Sequence, residues 1–107
     1  MRVFFPKFSR AELVKRLEER VVVLQEALPL LWVVLFGSWA KGNFTVASDI
    51  DLLVVYRGEP RDDAFAVVKK IVSVPGLEPH VYCEDEYRRL EDRIVRMTEG
   101  GIVLFPR

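Results

Sequence analysis

Seven consecutive apolar residues, Leu30-Leu31-Trp32-Val33-Val34-Leu35-Phe36, run without a break into Gly37-Ser38. A strand with one wet face alternates apolar and polar positions, whereas a run apolar at every position describes a strand covered on both faces. That requirement shapes everything around it. The remainder of the chain must supply further strands and enough apolar helix surface to close over a sheet.

It does so in order. Ser9 followed by Glu12 forms a capping box, with Phe8 and Leu13 placed as a hydrophobic staple. Leu13, Leu17, Val21, Leu24 and Leu28 then recur at helical spacing until Pro29 ends the helix. After Gly37-Ser38, Trp39-Ala40-Lys41 predicts a short helical turn, Gly42 a left-handed exit, and a polar loop runs to Ser48. Ile50 to Tyr56 is a second strand. Asp62 or Asp63 is expected to cap a second helix whose inner face is Phe65, Val68, Ile71 and Val72. Leu77 to Cys83 is a third strand, and Pro79, which cannot donate to a ladder, argues that it is an edge or begins late. Glu84 to Met97 reads as one helix with Tyr87, Leu90, Ile94 and Met97 as its stripe, and Glu84–Arg88, Asp85–Arg89 and Asp92–Arg96 as surface pairs. Gly100-Gly101 ends it, before a short last strand, Ile102 to Phe105. The expected class is α/β (α+β): one layer of sheet with helices packed on it, in a single domain spanning residues 1–107.

Composition narrows the function. Sixteen Lys and Arg balance sixteen Asp and Glu, so no net charge draws the chain to nucleic acid or anionic lipid. One cysteine, Cys83, excludes an internal disulfide framework and a multi-thiolate metal site; it reads as a small buried hydrophobe in a reducing, cytoplasmic setting. No apolar run approaches the roughly 20 residues of a membrane-spanning helix.

The chemistry concentrates in Gly37-Ser38-Trp39-Ala40-Lys41-Gly42 and in Ser48-Asp49-Ile50-Asp51-Leu52-Leu53-Val54. A strand that ends in Gly-Ser and enters a helical turn presents backbone amides and a hydroxyl, the ingredients of a phosphate cradle. Asp49 and Asp51 are two apart, the spacing that sets both carboxylates on one face of a strand. Side by side they repel unless a cation lies between them, and hard oxygen donors of this kind suit Mg2+ or Mn2+. Glu78 and His80 repeat that spacing in the third strand. If the two strands are neighbours, Glu78 completes a three-carboxylate site able to support in-line nucleotidyl transfer. His80 reads as a rim residue, since magnesium prefers oxygen.

The pattern G-S-x-A-x-G at Gly37 to Gly42, then S-D-I-D-L-L-V at Ser48 to Val54, resembles the polymerase-beta-type nucleotidyltransferase superfamily. The short span from the first helix to Phe105 is similar to its minimal, MNT-type branch. The resemblance implies a small mixed sheet flanked by helices, with a nucleoside triphosphate, ATP above all, bound through Mg2+ or Mn2+. It implies phosphate binding by Gly37 and Ser38 and metal binding by Asp49 and Asp51. It also implies a partner, since minimal members are often antitoxins paired with a helical HEPN protein, and some transfer AMP to it. The family's third carboxylate is usually an aspartate; here the candidate is Glu78, immediately before Pro79.

Two activities are compatible with these residues: transfer of a nucleoside monophosphate to a protein hydroxyl, and neutralisation of a partner by contact alone. A small sheet with helices on one side leaves an apolar face, which favours a partner or a homo-oligomer. A serine hydrolase built on Ser38 and His80 does not fit, because Gly-Ser-Trp-Ala-Lys-Gly departs from the G-x-S-x-G nucleophile elbow.

Overall fold

A computed structural model describes residues 9–45 and 47–107. The staple expected between Phe8 and Leu13 lies outside the described residues. The elements follow in the order α1 (Arg10–Ala27), β1 (Leu30–Phe36), α2 (Ser38–Lys41), β2 (Ile50–Tyr56), α3 (Ala64–Val72), β3 (Leu77–Cys83), α4 (Glu84–Arg89), α5 (Glu91–Met97) and β4 (Ile102–Phe105). The four strands make one sheet in the order β3-β2-β1-β4. β1 is antiparallel to both β2 and β4, whereas β2 and β3 are parallel, joined through α3. The sheet is therefore mixed, and β3 occupies an edge, where Pro79 is tolerated.

The all-apolar run of β1 does have two covered faces. Val33 and Leu35 enter a large core with Leu13, Leu17, Val21 and Leu24 of α1, Leu28 just beyond it, and Ala64, Val68 and Val72 of α3. Val34 and Phe36 face the other way, into a smaller cluster with Leu53, Val55 and Ile94, flanked by Tyr82, Tyr87, Leu90 and Met97. β2 divides by the same two-residue pleat: Ile50, Leu52 and Val54 point to the first core, Leu53 and Val55 to the second. Leu13, Leu17 and Leu24 are wholly buried, so truncating Leu17 to alanine would cost about 2–5 kcal/mol.

Helix α1 begins as its sequence requires. Ser9 Oγ accepts from the Glu12 amide at 3.1 Å, and Glu12 accepts from the Ser9 amide at 3.4 Å. Arg20 ties α1 to α3, its Nε and Nη2 donating to the Ile71 carbonyl at 2.8 and 2.6 Å. Three local expectations are corrected. Phe65 is on the outer face of α3, 49% exposed beneath the Lys69 ammonium, because the helix starts at Ala64 and its inward stripe is 64, 68, 72. Asp63 stands at the cap position but makes no capping bond, since its carboxylate is held by Arg61. The helix expected over Glu84–Met97 divides at Leu90 (φ −110°, ψ 14°), whose amide is shared between the carbonyls of Glu86 and Tyr87. Its stripe survives the break, as Tyr87, Leu90, Ile94 and Met97 still meet the second cluster. Of the three surface pairs, Glu84–Arg88 closes at 2.7 Å, while Arg96 bonds the Asp92 carbonyl instead of its carboxylate.

Helices thus lie on both faces, not one. The α4–α5 face is incompletely covered: Trp32, Val95 and Val103 stay 41%, 54% and 44% exposed around a concavity of about 230 Å³. No helix among the described residues is long and apolar enough to cross a membrane.

Candidate active site

Phe36 and Asp51 are directly paired across the β1–β2 ladder, which brings the end of one strand beside the start of the other. The chain leaves Phe36 through Gly37, whose backbone (φ 74°, ψ −151°) lies where only glycine is at ease. The reason is steric as well as conformational. A Cβ at Gly37 would run into Oδ2 of Asp51, so the missing side chain lets the carboxylate lie against the turn.

Gly37 takes the cap position of α2, with Ser38 as the first helical residue rather than the cap. The Lys41 amide bonds the Gly37 carbonyl at 3.1 Å and the Gly42 amide bonds Ser38 at 3.0 Å. The amides of residues 38–40 therefore precede the first bond of the turn. Gly42 closes it in the left-handed conformation expected of it, at φ 84°. Trp39 serves packing: it is buried and stacked on Phe44 with ring centroids 3.9 Å apart. Its Nε1 is buried without a hydrogen-bond partner among the described residues. Lys41 is exposed.

The loop before β2 is shaped by Ser48, whose Oγ accepts from the Thr45 amide at 2.8 Å while the Ser48 amide bonds the Thr45 carbonyl at 3.0 Å. Asp49 follows, exposed and one residue ahead of the strand; Asp51 is the second residue of β2 and half-buried. The Ile50 amide bonds the Gly76 carbonyl at 2.8 Å, which sets the register of β3. In that register Asp51 is opposite Glu78, as the sequence reading requires, and Leu53 is opposite His80. Glu78 is exposed, and no group of three His, Cys, Asp or Glu side chains among the described residues is gathered closely enough to hold an ion as it stands.

The side chain that does meet Asp51 is His80, with Nε2 3.3 Å from Oδ1. The imidazole is steadied by Phe36, their ring centroids 5.0 Å apart and tilted by 60°. Asp51 thus has one oxygen toward the Gly37 turn and the other toward His80. The sequence carried a hint of this in the two-residue spacing of Glu78 and His80, but which of the two meets Asp51 depends on side-chain reach. Cys83 is fully buried, as its reading required, and its amide donates to Glu86 at 2.9 Å.

A half-buried carboxylate at a strand entrance has a second carboxylate two residues earlier and a glycine turn pressed against it. Carboxylate oxygens and turn amides are the donor types that divalent cations and polyphosphates take in general. A family model for the nucleotidyltransferase domain matches residues 11–104. The chain belongs to the nucleotidyltransferase domain family. Among solved structures it is similar to a Sulfolobus solfataricus protein described provisionally as a nucleotidyltransferase, at 26% identity and a TM-score of 0.60, over 89% of this chain and 81% of that one. It is also similar in fold to a chain of a toxin–antitoxin structure with AMP-PNP, at 20% identity and a TM-score of 0.58, over 84% and 73% of the two chains. No curated protein matches.

Proposed function

We propose that this chain transfers a nucleoside monophosphate, AMP from ATP, to a hydroxyl on a partner protein, in the manner of a minimal nucleotidyltransferase. The observation that supports the reading is the close approach of Gly37 and Asp51, which sets the glycine turn against the carboxylate.

The donor set fits a divalent cation. Asp49, Asp51 and Glu78 would hold Mg2+ or Mn2+, Glu78 through its register with Asp51 and a side-chain rotation from its exposed position. The bound ion would neutralise triphosphate charge and make the acceptor hydroxyl more acidic. Gly37 and Ser38 would bind the phosphates through backbone amides and the Ser38 hydroxyl, fixing the α-phosphorus in line with the acceptor. In the transfer the acceptor oxygen bonds to that phosphorus, the α–β bridging bond breaks and pyrophosphate departs. The acceptor proton passes to solvent or to an acidic side chain at the site.

A second reading is favoured by the exposed Trp32, Val95 and Val103: an antitoxin that neutralises a HEPN-type toxin mainly by contact. The toxin–antitoxin relative supports a partner in either case.

Intact-mass spectra of co-purifying protein, before and after ATP and Mg2+, test the proposal. A gain of one or more AMP units, lost in the D49N/D51N variant, is the expected result. A tight complex without any mass change, still neutralised by D49N/D51N, would replace transfer with contact.

A further inference from the structure

His80 is the only histidine in the chain and it is aimed at the carboxylate on which the site depends. Resting on the functional reading above, we propose that His80 is itself a metal ligand, bound through Nε2 beside Asp51 Oδ1, and that it biases the site toward a first-row transition ion such as Mn2+ over Mg2+.

The distance between the two atoms is compatible with two ligands on one ion. Two donors each about 2.1 Å from an octahedral cation and at right angles lie about 3 Å apart. Nε2 and Oδ1 are separated by 3.3 Å, near that edge and longer than the roughly 2.7–2.9 Å of a charge-assisted hydrogen bond. The imidazole is also held in place by the protein. β3 lies parallel to β2 with His80 two residues beyond Glu78, on the face that Asp51 shares, and the Phe36 ring packs against it. Its only hydrogen-bond partner among the described residues is Asp51. Glu78 is exposed, so the donor already beside Asp51 is a nitrogen and not a third oxygen.

The consequence is selectivity. Carboxylate and phosphate oxygens suit Mg2+ and Mn2+ alike, whereas an imidazole adds affinity for transition ions and little for magnesium. A site of this composition therefore places one imidazole nitrogen among the carboxylate oxygens of Asp49, Asp51 and Glu78.

The test uses the full chain, carrying a histidine-free affinity tag and [15N]histidine, with Mn2+ and AMP-PNP. Electron spin-echo envelope modulation reads nuclei bound to manganese, and every 15N coupling reports His80. A coupling of the size given by a directly bonded nitrogen is expected. The H80F variant, which keeps an aromatic ring on Phe36, is expected to lose it and to bind Mn2+ about tenfold or more weakly while Mg2+ binding changes little. Manganese bound with AMP-PNP but without 15N coupling, or an equal loss of Mn2+ and Mg2+ in H80F, would overturn the assignment and leave the proposed function standing. Failure of Mn2+ alone to bind with AMP-PNP would overturn the assignment, and failure of both ions would overturn both.

Discussion

Oδ2 of Asp51 occupies the space that a Cβ of Gly37 would need. The G37A substitution therefore meets two obstacles, the collision and a φ of 74° that L side chains rarely adopt. The carboxylate must move or the turn must open, and either separates the two halves of the site. Transfer activity is expected to fall about 100-fold, the cost of misplacing a catalytic group by about 1 Å. Folding stability should drop by about 1–2 kcal/mol. Mass-based transfer assays beside urea denaturation check this, and an alanine variant with undiminished activity would contradict it.

Gly101, just before β4, offers a second case. A Cβ there would stand 2.7 Å from Val34 Cγ1, 2.8 Å from the Thr98 carbonyl and 2.9 Å from that of Leu35. Two of those neighbours are backbone and cannot turn aside. G101A should lose about 1–3 kcal/mol by overpacking β4 against β1. The urea midpoint of the variant measures it; an unshifted midpoint would show that β4 yields freely.

Ser73 ends α3 in the left-handed conformation, at φ 49°, with its amide bonded to the Lys69 carbonyl at 3.1 Å. Glycine takes that geometry without penalty, although it also gains freedom in the unfolded chain. S73G is expected to raise stability by about 0.5–1 kcal/mol. Its thermal midpoint should rise by a few degrees, and a fall would sink the argument.

Tyr87 ionises above the ordinary phenol value of 10.0, chiefly because burial disfavours the phenolate and secondarily because Glu91 is near. Between the unfolded and folded values the native state holds the proton more tightly, so its contribution to stability is complete below pH 10 and declines as pH rises above it. The alkaline limb of the stability profile should be shallower in Y87F than in the natural chain. Superimposable limbs in denaturation series above pH 10 would refute this.

How much of this was visible in the residues is best seen strand by strand. The run Leu30–Phe36 announced a doubly covered strand, and both apolar clusters are there. Ile50–Tyr56, Leu77–Cys83 and Ile102–Phe105 form strands at those bounds, and Ser9 with Glu12 caps the first helix as its side chains dictate. These features are legible because they are local: periodicity, β-branching and capping act over a few residues. The outward orientation of Phe65 and the break at Leu90 were not legible. The first depends on which residue begins a helix, and the second has no proline or glycine to signal it.

The sequence by itself determined the alternation of elements, the glycine turn at the end of β1 and the spacing of Asp49 and Asp51, because each is a property of neighbouring residues. Tertiary structure alone decided that β3 would lie parallel to β2 with Glu78 opposite Asp51, and that the imidazole of His80 would be the group meeting its carboxylate. Those partners are 27 and 29 positions from Asp51 along the chain. Only the register of two strands, set by the bond from Ile50 to Gly76 and by the packing of α3, brings them within reach.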